Sequence, residues 1–149
     1  MSVIFSRSCE YAIQSVLFLA RKRGKGSVLV REISDSLGIP HHFLSKVLQL
    51  LHRRGIVASQ KGAHGGFSLN RPVEQITISD IVRAIDGDTT LKECILGFSE
   101  CDSVHPCPAH KEWKEAKTIL ETMLNNKTVG ELGKDFEKKL LYTMRKSRG

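Results

Sequence analysis

Long apolar runs are missing from this sequence. Its longest, Val16 to Ala20, falls far short of the roughly 20 apolar residues a membrane-spanning helix needs. The first ten residues, Met1 to Glu10, lack the basic start and apolar core of a secretory leader. Both absences point to a cytoplasmic protein with no membrane partner. Thiols stay reduced there, so the four cysteines read as metal ligands or redox groups before disulfides. No cysteines are spaced as the C-x2-C or C-x4-C knuckles common in structural zinc sites. No nucleophile–base arrangement or phosphate-cradling loop between strand and helix is visible, which argues against an enzyme. Internal repeats and low-complexity segments are also absent.

The most informative absence is local. Between Asp35 and Glu74 there is no carboxylate, although the chain carries 16 acidic residues in all. That stretch holds Lys46, Arg53, Arg54, Lys61 and Arg71, with His41, His42, His52 and His64. Phosphate repels carboxylates and binds Lys and Arg, so the composition suits contact with a nucleic-acid backbone. The net charge of +7 agrees but is weaker evidence, because many basic proteins bind no nucleic acid.

The 149 residues suit one compact domain, or one domain with a helical arm, and 40% hydrophobic content supplies a core. Apolar spacing predicts a first helix over 8–22, stopped by basic residues and glycine. A second helix over 30–37 ends at Gly38. A third starts after Pro40 and runs to Arg54. Helix, short glycine-containing turn, helix is the helix-turn-helix pattern. On the third helix His42, Ser45, Lys46, Gln49 and Arg53 form one acid-free polar stripe opposite Phe43, Leu44, Val47, Leu48, Leu50 and Leu51. Strand-like segments Ile56 to Lys61 and Phe67 to Arg71 flank a glycine-rich turn, which predicts a β-hairpin wing. Thr77 to Asp86 reads as a fourth helix with a Thr77/Asp80 capping box.

The expected fold is mostly α with a small β-hairpin wing: a winged helix-turn-helix followed by a long dimerisation helix. Residues 1–87 form the DNA-binding domain and 88–110 a cysteine-bearing loop. Residues 108–137 form the dimerisation helix and a short C-terminal helix, and 138–149 a basic, frayed tail. DNA-binding candidates are His41, His42, Ser45, Lys46 and Gln49 at base edges, and Arg53, Arg54 and Arg71 on phosphates. At the wing tip, Lys61 and His64 join Gly65 and Gly66, which allow close backbone approach. Trp113, Ala116, Leu120, Met123 and Leu124 recur at three- and four-residue steps, a narrow apolar stripe suited to a partner helix.

Cys94, Cys101 and Cys107 are spaced C-x6-C-x5-C, with His110 three residues further on. Iron–sulfur clusters take thiolates from irregular loops of this kind, and a histidine or carboxylate can complete the shell. Zinc or thiol chemistry is the alternative. A loop with few apolar anchors, tied by a metal, is a candidate switch. Cys9, isolated among apolar neighbours, reads as a buried thiol.

Together, E-Y-A-I-Q-S-V-L-F-L-A (Glu10 to Ala20), L-S-K-V-L-Q-L-L-H-R-R-G-I-V (Leu44 to Val57), K-G-A-H-G-G-F (Lys61 to Phe67), I-S-D-I-V-R-A-I-D-G (Ile78 to Gly87) and the cysteine loop make a specific combination. The chain resembles the winged-helix repressors that include the IscR, NsrR and CymR regulators, up to about residue 136. The resemblance implies a homodimer on a palindromic double-stranded operator with half-sites about one DNA turn apart. It implies an iron–sulfur cluster on the three loop cysteines in the sensing branches and none in the CymR-like branch, whose members respond to a partner protein. An IscR-like fourth ligand corresponds to His110. An NsrR-like one corresponds to Glu10 of the partner subunit. Both residues are here, so [2Fe–2S] and [4Fe–4S] both stay open. The IscR-like recognition helix carries Glu where this chain has Ser45, so base preference is not carried over.

Overall fold

The computed structural model describes residues 4–88 and 91–147. Met1 to Val3, Thr89, Thr90, Arg148 and Gly149, included above in the reader domain, the loop and the tail, lie outside the described residues. The described residues form six α-helices and a two-stranded antiparallel hairpin. These are α1 (Arg7–Arg21), α2 (Val30–Leu37), α3 (His41–Arg53), β1 (Val57–Gln60), β2 (Gly66–Leu69), α4 (Ile78–Asp86), α5 (His110–Asn126) and α6 (Val129–Ser147). None is long and apolar enough to cross a membrane.

Local chemistry sets the boundaries. The Ser6 hydroxyl caps α1 by accepting the Cys9 amide at 3.1 Å. Ser6 is itself held by Asp86 at the far end of α4, to which its own amide donates at 3.0 Å. Gly38 ends α2 in the left-handed region (φ 68°), which only glycine enters without strain, and so frees the turn into α3. The expected capping box is present. The Thr77 amide donates to Asp80 at 3.0 Å and the Asp80 amide to the Thr77 hydroxyl at 3.2 Å.

The core lies where α1, α3 and α4 meet. Val16, Leu19, Leu44, Leu48, Leu51, Ile56, Ile76 and Ile81 are buried there. Each such side chain contributes roughly 1.5–3 kcal/mol by leaving water, and this packing fixes which face of α3 is left outside. The hairpin pairs Val57 with Leu69 and Gln60 with Gly66. A further segment joins it: Val28 and Phe67 exchange both backbone hydrogen bonds at 2.8 Å. The chain entering α2 therefore braces the wing, a contact no local pattern announces.

The C-terminal expectations need correction in two places. The predicted short helix over 128–137 with a frayed tail is instead one continuous helix, α6, to Ser147. Leu132, Phe136 and Leu140 pack on the core, and Arg21 of α1 donates to Glu137 at 2.7 Å, so the basic residues ride on a helix that is anchored. Leu124, expected at a dimer contact, is 5% exposed and belongs to this chain's own core, held by the Ile78 amide donating to the Lys127 carbonyl nearby.

Candidate nucleic-acid interface and metal centre

Burial of Leu44, Val47, Leu48 and Leu51 turns the opposite face of α3 to solvent. His41, His42, Lys46, Gln49, Arg53 and Arg54 are all exposed there. Ser45 is half-buried, and its hydroxyl donates to the His41 carbonyl at 3.0 Å. His52, in the same acid-free stretch, is exposed too, with Nδ1 3.2 Å from the Val57 carbonyl. Among the described residues, Lys46, Arg53, Arg54 and Lys61 pair with no carboxylate. Most other cations at this end of the chain are paired, as in Lys22–Glu32 at 3.0 Å. An exposed helix face with unneutralised cations is the arrangement phosphate contact requires.

Arg71 departs from its expected role on phosphate: it faces Asp80 at 3.6 Å. At the wing tip Lys61 and His64 are exposed, but the glycines serve the protein's own backbone. A Cβ on Gly66 would stand 2.2 Å from the Val28 carbonyl oxygen, and one on Gly65 2.5 Å from that of Gln60. Gly65 is buried. Their small size lets the Val28 segment and the hairpin close on each other.

The cysteine loop lies between α4 and α5. Cys94 is buried, and Cys101 and Cys107 are half-buried, all as free thiols. Burial pushes the Cys94 thiol up, but the backbone amides of Leu96, Phe98 and Gly97 and the Cys107 thiol outweigh it, leaving Cys94 below the ordinary thiol value. Gly97, at φ 84°, makes the turn that aims these amides, and its own amide also bonds the Cys94 carbonyl at 3.0 Å. Cys107 is pushed up, by burial first and then by its bond to Cys94 and the charges of Cys94 and Cys101, against the Ala109 amide. Cys94 and Cys107 thus influence each other, and Cys101 lies within electrostatic reach.

His110, the first residue of α5, brings Nδ1 to 3.6 Å from the Cys101 sulfur. Its Nε2 is buried with no hydrogen-bond partner. An orphaned nitrogen on a ring whose other nitrogen meets a thiol is free to take a ligand. The donor set, three thiols and an imidazole, fits an iron–sulfur group better than a hard cation. Among the described residues no three donors already stand in a metal-binding arrangement, so loading would draw the loop inward. Glu10, the other candidate ligand, sits in the first turn of α1 and pairs with Arg7 at 3.5 Å.

Comparison with known proteins agrees with this geometry. The Rrf2 family, described as iron-dependent transcriptional regulator, matches residues 5–135. The chain belongs to the Rrf2 family of DNA-binding transcriptional regulators. The IscR regulator of Sodalis glossinidius is 32% identical over 82% of this chain and 73% of its own length. Among solved structures, the global cysteine regulator CymR of B. subtilis superposes with a TM-score of 0.75 at 25% identity. That match covers 89% of this chain and 98% of CymR. IscR of T. potens superposes with a TM-score of 0.71 at 28% identity, over 93% and 90%. These relatives are transcriptional regulators, not enzymes.

Within this Rrf2 chain, α5 carries residues whose role was not visible in sequence. The Trp113 indole donates to the Glu93 carbonyl at 2.9 Å, fastening α5 to the residue before Cys94. The Lys117 ammonium lies 3.8 Å from the Cys101 sulfur. Ala116 and Leu120 are half-buried on the same side. The apolar residues α5 leaves in solvent are Met123, 47% exposed, and Ile119, 72% exposed, the latter absent from the predicted stripe.

Proposed function

We propose that this chain is a homodimeric regulator that binds a palindromic operator, and that an iron–sulfur cluster on Cys94, Cys101 and Cys107 sets its affinity. The observation that carries the cluster reading is the orphaned His110 Nε2 on a histidine already against Cys101. The amides of Leu96, Gly97 and Phe98 turned on Cys94 support it, because N–H donors to a ligating sulfur are a usual means of tuning such centres. His110 is the fourth ligand this reading favours, with Glu10 of the partner subunit as the alternative. A bound cluster supplies a one-electron redox couple.

The protein's own residues do the rest. Lys46 and Gln49, with His41, His42 and Ser45 nearer the start of α3, read base edges in the major groove. Arg53 and Arg54 grip phosphates and set register, and Lys61 and His64 on the wing reach the adjacent groove. Ile119 and Met123, beside Trp113, Ala116 and Leu120, offer a partner helix its apolar surface. Ordering of residues 91–110 around the bound group moves α5 relative to the reader domain. That motion couples the loop to operator affinity.

The direct test is the visible absorption of protein purified without oxygen, with iron and sulfide analysis. Brown protein with stoichiometric iron and sulfide is expected, and the ratio separates [2Fe–2S] from [4Fe–4S]. Colourless protein that resists reconstitution overturns the cluster and leaves the DNA-binding role standing. The lowered Cys94 thiol, with Cys107 among the groups acting on it, favours a second reading in that case, in which the thiols themselves respond to oxidation or zinc.

A further inference from the structure

One face of α5 is turned on the cysteine loop. His110, Trp113 and Lys117 fall at i, i+3 and i+7, one above another on the helix surface. His110 meets the Cys101 sulfur at 3.6 Å, Trp113 holds the Glu93 carbonyl at 2.9 Å, and Lys117 meets the Cys101 sulfur at 3.8 Å. Cys101 is thus bracketed by an imidazole and an ammonium. Lys117 is half-buried, and among the described residues its ammonium pairs with no carboxylate, although Glu121 is one turn away on the same helix. A lysine that forgoes a carboxylate and points at a thiol supplies positive charge at that sulfur.

We propose that Lys117 is a positioning residue for the sulfur centre: its fixed charge lies beside Cys101 and holds the centre's reduction potential up. This rests on the cluster reading above. Three thiolates around iron carry excess negative charge, and each added electron increases it. A cation about 4 Å away stabilises the reduced form more than the oxidised one. At that range one unit charge is worth roughly tenfold in the equilibrium between the two forms when the surroundings are slightly less polar than water. No bond forms or breaks in the protein. The centre gains one electron from an external donor.

The test uses the full chain, reconstituted with iron and sulfide without oxygen, as wild type, Lys117→Gln and Lys117→Arg. Each is titrated with dithionite in the presence of mediators and followed by visible absorption. Lys117→Gln is expected to lower the midpoint potential, changing the oxidised-to-reduced ratio at a fixed potential about tenfold, or about 59 mV for a one-electron couple. Lys117→Arg keeps the charge and is expected within about twofold of wild type. Loss of iron and sulfide from the Gln variant alone would assign Lys117 to holding the centre rather than to setting its potential, and overturns the proposal. A Gln variant that titrates with wild type, or equal shifts in both variants, overturns it while the cluster reading stands. Wild-type protein that takes up no iron and sulfide overturns both.

Discussion

Lys46 and Arg54 occupy the same helix or its end, are both exposed, and pair with no carboxylate among the described residues, yet the proposed contact gives them different roles. Lys46 lies in the first half of α3, proposed above to enter the groove, and Arg54 at its C-cap. Lys46→Ala is expected to cost about 1–3 kcal/mol on the specific site and little on random sequence. Arg54→Ala weakens both and lowers the slope of log affinity against log salt by about 1. Salt titrations on operator and non-operator duplexes separate the two, and the reverse pattern would exchange their roles. Cys9 gives a prediction of another kind. Burial, then the charge and hydrogen bond of Asp86, then Glu10, push its thiol up to about 12 from an ordinary 9.0. A raised value in the folded state means the unfolded chain releases that proton first. Stability from the buried thiol is full below about pH 9 and falls as pH rises toward 12. Cys9→Ala should remove this loss, so urea midpoints of variant and wild type should converge with rising pH above 9. A constant gap would exclude the linkage.

At the scale of the element, the two C-terminal helices show what a pattern does and does not carry. Leu132, Phe136 and Leu140 recur every fourth residue, so a helical face past residue 137 is written in the sequence. The density of lysine around it hides that signal, because charge on a solvent face and charge in a loose tail look alike until the anchor is seen. The stripe on α5 was legible as a stripe but not by destination. Periodicity fixes which residues share a face, while Leu124 meeting its own core and Met123 meeting solvent are decided by how the chain folds back. The helix-turn-helix, wing and capping box were legible because each rests on residues within a few positions of one another. The Val28 brace and the Lys117–Cys101 contact join distant positions and were not. Glycines on either side of the molecule test this packing. A Cβ at Gly133 of α6 would sit 3.9 Å from the Ala20 Cβ, an ordinary contact. Gly133→Ala should raise stability by about 0.5–1 kcal/mol, since alanine loses less backbone freedom in a helix. Gly66→Ala, 2.2 Å from the Val28 oxygen at φ 140°, should lower it and loosen the wing. Thermal midpoints of the two variants should move in opposite directions, and a destabilising Gly133→Ala would mean α6 does not lie where it is described.

At the scale of the whole molecule, the reader face and the cysteine loop are separate surfaces, so regulation has to pass through what lies between them. Two connections are on hand. Ser6 ties the start of α1 to Asp86, where α4 gives way to the loop, and Trp113 ties α5 to Glu93 just before Cys94. A loop drawn inward around a bound group therefore pulls on both the reader domain and the helix proposed for dimerisation. Couplings of this sort are typically 1–3 kcal/mol, and about 1.4 kcal/mol already gives tenfold in operator affinity. A chain with Cys94, Cys101 and Cys107 all replaced by Ser keeps α3 and the wing intact. It should keep its affinity for random DNA while its operator affinity matches that of the cluster-free wild type. Loaded wild type should differ from both by about tenfold, measured by fluorescence anisotropy at one fixed salt concentration, because phosphate contacts make affinity depend strongly on salt. Equal operator affinity in all three would remove the switch and leave a regulator whose cysteines serve something other than DNA binding.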